Sequence, residues 1–289
     1  MGILHSRLVF ESICLNDGRI EFMSPKIVFA AGSAFSGSTA FGNMLNNTGI
    51  GNYLGEVDNL FEPEAPLNRL YPCRICAPSG NQCKIHSLVS SIDFEKDTYL
   101  ETLANIAFTN RDQVVIDGSK TVKGIRNAEF FRGRGIEISS IVLVKDPIRH
   151  IASTKGALRE NLEYFEIAKG WLNFYWDLIR CTAIHGVPTY VLNTDELRIL
   201  NQPQNNNKVL NTLRNFLNSP DGDEYRTTNI FLPTHQIGGN ERTLNNQQFK
   251  PENEERALQD EKLIKLAIMN TPGMMDLINL LGLSRYVRV

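Results

Sequence analysis

The run Lys26-Ile-Val-Phe-Ala-Ala31 passes without a break into Gly32-Ser33-Ala34-Phe35-Ser36-Gly37-Ser38-Thr39 and then Ala40-Phe-Gly-Asn-Met-Leu45. An apolar, β-prone run, a Gly/Ser turn and a helical pattern read as strand, loop and helix. Three more apolar runs, Val114–Ile116, Ile138–Val144 and Thr189–Leu192, read as strands. Helical patterns lie between them, including Asp97–Phe108, Pro147–Arg159 and the aromatic-rich Tyr164–Ile184. Strands alternating with helices predict an α/β fold, a parallel sheet of P-loop type covered by helices on both faces. Ligands in such folds sit beyond the carboxyl ends of the strands.

A single domain over residues 1–289 is expected, with two interruptions and a C-terminal helical segment. Residues 55–92 carry four prolines and three cysteines and read as an insert over the sheet edge. Residues 219–248 are too polar for core and read as a loop covering the ligand. The aromatics of Tyr164–Ile184 read mostly as core, with one or two free to line a pocket.

Charge excludes some functions. The formal net charge is −2, from 30 basic and 32 acidic residues, so no global positive field recruits nucleic acid or an anionic membrane. An anion site must therefore be assembled locally. No apolar run approaches the roughly 20 residues that span a bilayer, and no signal-peptide pattern opens the sequence. Five cysteines in 289 residues, without such a signal, predict a reducing, cytoplasmic setting rather than a disulfide scaffold.

The first loop has the spacing Gly-x4-Gly-x-Thr, which converges backbone N–H groups and a helix N-terminus on one spot suited to a phosphate. Ser38 stands where a nucleoside-triphosphate loop has its Lys. The loop is thus fitted to a phosphate without being built for a triphosphate. Three other segments bring polar groups to predicted strand ends or loops. Val114-Val-Ile-Asp117-Gly-Ser119-Lys120 delivers Lys120; Ile141-Val-Leu-Val-Lys145-Asp146-Pro147 delivers Lys145, with Ser153 eight residues on in a helix; and His235-Gln-Ile-Gly238-Gly239-Asn240-Glu-Arg242 is a Gly-rich loop with one guanidinium. Singly, each residue reads as a solvated strand end, helix-surface serine or loop charge. Together they supply one phosphate loop and a separate Lys/Ser/Arg set for a second phosphate.

At these four motifs the chain resembles the sulfotransferases that use 3′-phosphoadenosine-5′-phosphosulfate (PAPS), and its run Asp146-Pro147-Ile-Arg-His-Ile-Ala-Ser153 is similar to the bacterial type. The resemblance runs from about Ile27 to Arg242. It implies that Ser36, Gly37, Ser38 and Thr39 hold the 5′-phosphosulfate. It further implies that Lys145, Ser153 and Arg242 hold the 3′-phosphate, with Gly238, Gly239 and Asn240 letting that loop approach the nucleotide. The product nucleotide would be 3′-phosphoadenosine-5′-phosphate (PAP), and the acceptor a small molecule carrying a hydroxyl or amine. Glu56, in Gly55-Glu56, stands about where protein-tyrosine sulfotransferases place their general base, and those enzymes also have a Lys near the Lys120 position. A carboxylate suits that work, because an attacking hydroxyl must lose its proton. Glu56 otherwise reads as a surface acid beside Asp58; Asp58 and His235 are the next candidates for the base.

Two departures stand out. Phe35 occupies the place of the family's loop Lys or Arg, and Lys145 that of its strand-end Arg, which loses bidentate geometry. Lys120 is expected to supply the charge missing at Phe35. Two rival readings accompany this one: a P-loop kinase or NTPase, because Val114-Val-Ile-Asp117 also resembles a Walker-B strand, and a non-catalytic PAP-binding module, because of Phe35. Catalysis by this reading needs no metal. Within the insert, Cys73, Cys76, Cys83 and His86 have spacing that suits a structural zinc.

Overall fold

A computed structural model of the protein describes residues 14–16, 19–21, 24–34, 36–62, 73, 83–110, 113–158, 161–197, 206–218, 234–237 and 259–287. A short antiparallel hairpin, β1 (Cys14–Asn16) and β2 (Arg19–Glu21), comes first. There follow β3 (Lys26–Ala31), α1 (Ser38–Thr48), β4 (Asn52–Gly55), a 3₁₀ turn at Val57–Leu60, α2 (Lys84–Ser90), α3 (Tyr99–Thr109) and β5 (Val115–Asp117). The chain continues through α4 (Lys123–Arg126), α5 (Ala128–Arg132), β6 (Glu137–Val144), α6 (Pro147–Leu158), α7 (Tyr164–Ile184) and β7 (Thr189–Asn193). Helices α8 (Asn206–Leu217), α9 (Glu261–Asn270) and α10 (Met274–Leu280) follow.

Strands β4-β5-β3-β6-β7 form one five-stranded sheet in that order, every pairing parallel. Alternation within β3 makes two cores. Ile27, Phe29 and Ala31 face the side covered by α3, α6, α7 and the C-terminal helices, while Val28 and Ala30 face α1 and α8. Burial on both faces explains why β3 and residues 141–144 of β6 read in sequence as apolar runs.

From central β3 the chain goes out to β4, comes back to β5, and then crosses to β6 on the other side. The strand order therefore switches at β3, the place where such sheets open a crevice at their carboxyl edge. The Gly/Ser loop leaves the sheet there.

Strand β4 is not among the four runs the sequence offers. It is four residues long, lies at the edge and has a register irregularity between Tyr53 and Gly55. The expected helix at Asp97 begins at Tyr99 instead. Thr98 accepts from the Glu101 N–H, and the Glu101 carboxylate accepts from Thr98 N–H, a capping box that sets the start. Among the described residues, no helix is long and apolar enough to cross a membrane.

Candidate functional site

The loop after β3 ends at Gly37, the N-cap of α1, with φ 90° and ψ 15°. That left-handed conformation is one a side chain resists, and a Cβ would also stand 3.3 Å from the Thr194 Cβ. Ser36 is fully buried, yet among the described residues its Oγ has no hydrogen-bond partner. A buried hydroxyl without a partner costs about 1–3 kcal/mol, so Ser36 at this helix N-terminus is a candidate to pair with a ligand oxygen. Ser38 and Thr39 are buried beside it, and the Ser38 hydroxyl pairs with the Tyr53 phenol of β4.

The loop rests on a polar brace. Ser33 N–H donates to Tyr175 Oη (3.4 Å), the Ser33 hydroxyl lies 3.2 Å from the same oxygen, and Tyr175 donates to the Leu143 carbonyl (2.7 Å). His150 of α6 adds its Nε2 at 3.4 Å from the Ser33 hydroxyl. Burial, reinforced by the Lys145 charge, pushes the His150 pKa down to about 3, so the ring is neutral near pH 7. Trp171 and Tyr175 are the core aromatics of α7, their rings 4.7 Å apart. Sequence patterning marks the α7 aromatics mostly as core and carries no signal that the Tyr175 hydroxyl supports the loop.

Lys145 follows β6, next to β3, and donates to Ser153 Oγ at 3.2 Å. Their eight-residue separation works because Pro147 starts α6 and Ser153 lies two turns into it. Asp146 locks the entry: its Oδ1 accepts from Ile148 N–H (2.8 Å) and its own N–H donates to Asp195 Oδ2 (2.7 Å).

The ends of β4 and β5 bring Glu56 and Lys120 together. Lys120 Nζ donates to Glu56 Oε1 at 2.5 Å, and Asn59 Nδ2 donates to Oε2 at 2.8 Å. The two side chains retain 16% and 32% exposure, so solvent or a small molecule can reach them. Asp58 serves otherwise. It is buried, receives Lys123 Nζ at 2.7 Å, and its N–H donates to Ser119 Oγ. Asp117 is also committed, accepting from Tyr99 Oη and the Ser119 hydroxyl, both at 2.7 Å. Burial raises its pKa to about 6, against those hydrogen bonds. Its strand neighbour Val115 belongs to the core opposite α1, so this carboxylate points away from the helix that follows the loop.

Residues 234–237 lie alongside β4. Ile237 N–H donates to the Leu54 carbonyl (2.6 Å), and Glu56 N–H donates to the Ile237 carbonyl (2.9 Å). Gly55 sits at this contact with φ 88°, and a Cβ there would run into the Ile237 carbonyl. Thr234 and Gln236 point to α1, where Asn43 Oδ1 accepts from Thr234 N–H, Thr234 Oγ1 and Gln236 Nε2 at 2.9–3.1 Å. His235 points the other way, with Nδ1 3.4 Å from Cys73 Sγ. Cys73, Cys83 and His235 hold their donor atoms within 4.8 Å of one another. Among the described residues, the histidine in that group is His235, not the His86 expected from spacing. His86 is instead the third residue of α2, its buried Nε2 without a hydrogen-bond partner among the described residues. Phe35, Cys76, Gly238, Gly239, Asn240 and Arg242 lie outside the described residues.

The chain matches no protein-family model and no curated protein. Among solved structures it is similar to the sulfotransferase domain from the Synechococcus PCC 7002 olefin synthase. The identity is 17% and the TM-score 0.47, with 84% of this chain and 92% of that one covered.

Proposed function

We propose that the chain is a PAPS-dependent sulfotransferase acting on a small-molecule acceptor. The observation that carries this reading is the pair of separate polar arrangements on neighbouring strand ends, each suited to an anion. One is the Ser36 hydroxyl, buried and unpartnered among the described residues, at the α1 N-terminus after β3; the other is the Lys145–Ser153 pair after β6. A nucleotide phosphorylated at both 3′ and 5′ positions needs two such places, whereas a nucleoside triphosphate needs one extended cradle and a Lys where Ser38 stands. The commitment of Asp117 to Tyr99 and Ser119 argues against a Walker-B role in a kinase or NTPase.

Ser36, Gly37, Ser38 and Thr39 would hold the 5′-phosphosulfate. Lys145 and Ser153 would hold the 3′-phosphate, joined on the sequence reading by Arg242 and the Gly238-Gly239-Asn240 turn. When bound, PAPS supplies a sulfuryl group activated by its phosphate leaving group. Glu56 would take the acceptor proton as the acceptor oxygen attacks sulfur, and Lys120 would face the charge that develops on the leaving oxygen. Because Lys120 is bonded to Glu56 Oε1, it must share or leave that oxygen as the acceptor arrives, which couples the two roles.

Thermal unfolding tests the cofactor class. PAP without Mg²⁺ should raise the Tm far more than AMP at equal concentration, since a ligand at 100 times its Kd stabilises by about 2.7 kcal/mol. Equal shifts from PAP and AMP would remove the 3′-phosphate assignment.

A further inference from the structure

We propose that Cys73, Cys83 and His235 form a structural zinc site that ties residues 234–237 to the cysteine-bearing segment beside β4. The residues come from three separate places. Cys73 makes an isolated antiparallel bridge with Ile237, Cys83 precedes α2, and His235 lies in the extended segment against β4. A tetrahedral zinc with Zn–S of about 2.3 Å and Zn–N of about 2.0–2.1 Å sets its sulfur and nitrogen ligands about 3.5 Å apart. Cys73 Sγ and His235 Nδ1 are 3.4 Å apart, and Cys83 Sγ completes a triangle with no edge above 4.8 Å.

The chemistry of the donors agrees. Two thiols and an imidazole are the soft and borderline ligands that favour zinc over magnesium or calcium. Cys73 and Cys83 are not in a disulfide. The backbone aims His235 at the thiols: Thr234 and Gln236 are fixed to Asn43 on one side, and alternation along an extended chain sends His235 to the other. His86 has no part in the site, although sequence spacing favours it.

This site does not depend on the transferase reading, and its test uses metal rather than turnover. The intact protein, purified without chelator, should carry about one zinc per chain by elemental analysis. Replacement with cobalt(II) should give the charge-transfer absorption of thiolate ligands. Cys83→Ser and His235→Asn should each lower zinc content severalfold, whereas His86→Asn should keep it. Chelation of the wild type should lower Tm, and zinc should restore it, which covers the case of a variant that fails to fold. A wild type without zinc or cobalt–thiolate absorption would overturn the proposal, as would zinc loss in His86→Asn with retention in His235→Asn.

Discussion

Glu56 and Lys120 illustrate how magnitude separates function from stability at the scale of one residue pair. A partly exposed ion pair contributes only about 0–1 kcal/mol to folding, so stability alone gives little reason to hold these groups at 2.5 Å beside the sheet's carboxyl edge. Asp58, four-percent exposed and already bonded to Lys123, has no such freedom to take a proton from a ligand. Under the proposed mechanism Glu56→Gln keeps shape but loses the base, so kcat should fall at least about 10²-fold while PAP binding is retained. Lys120→Ala should lower kcat to a similar extent. Since both act on one bond-making step through a shared hydrogen bond, the double variant should lose far less than the product of the two effects. Steady-state kinetics on a turned-over acceptor provide the check; near-normal kcat in Glu56→Gln would place the base elsewhere.

At the scale of elements, the informative contact is edge strand β4 against residues 234–237. Strand β3 and residues 141–144 of β6 were legible because burial on both faces writes them as apolar runs. Asn52-Tyr-Leu-Gly55 was not, because four residues with a register break carry no period. The same limit applies to the candidate metal group. Residues Cys83 and His86 are near in sequence, but the pairing of Ile237 with Leu54 and Glu56 brings His235 to Cys73 from 162 residues away. Spacing holds no record of such a pairing. Gly55→Ala tests how much depends on it. The variant meets both a left-handed backbone, costing about 1–2 kcal/mol, and a direct clash with the Ile237 carbonyl. Gly49→Ala has a similar φ of 66° with nothing within 4 Å, so it isolates the backbone cost. Gly55→Ala should therefore lower the urea midpoint well beyond Gly49→Ala, and equal midpoints would show that the β4 contact adds nothing to stability.

For the whole molecule, two buried titrating groups on opposite sides of the candidate site oppose each other as pH changes. The folded-state pKa of His150 is lowered from 6.5 to about 3 by burial and then by Lys145. The unfolded chain thus binds the proton first, and stability is lost as pH falls from 6.5 toward 3. Asp117 behaves in the reverse sense. Burial raises its pKa from 3.8 to about 6, so the folded state binds the proton first and stability increases as pH falls from about 6 toward 3.8. Between those limits the two contributions have equal and opposite slopes of about 1.4 kcal/mol per pH unit. Asp117→Asn removes one of them. The variant starts from a lower baseline, because an amide cannot accept from Tyr99, Ser119 and the Val57 N–H as a carboxylate does. The diagnostic quantity is the pH dependence of the difference. Wild-type stability minus that of Asp117→Asn, measured by urea unfolding, should grow by about 2 kcal/mol from pH 7 to pH 4. A difference that stays constant over that range would mean that Asp117 titrates alike in the folded and unfolded chains, and that its hydrogen bonds fully offset its burial.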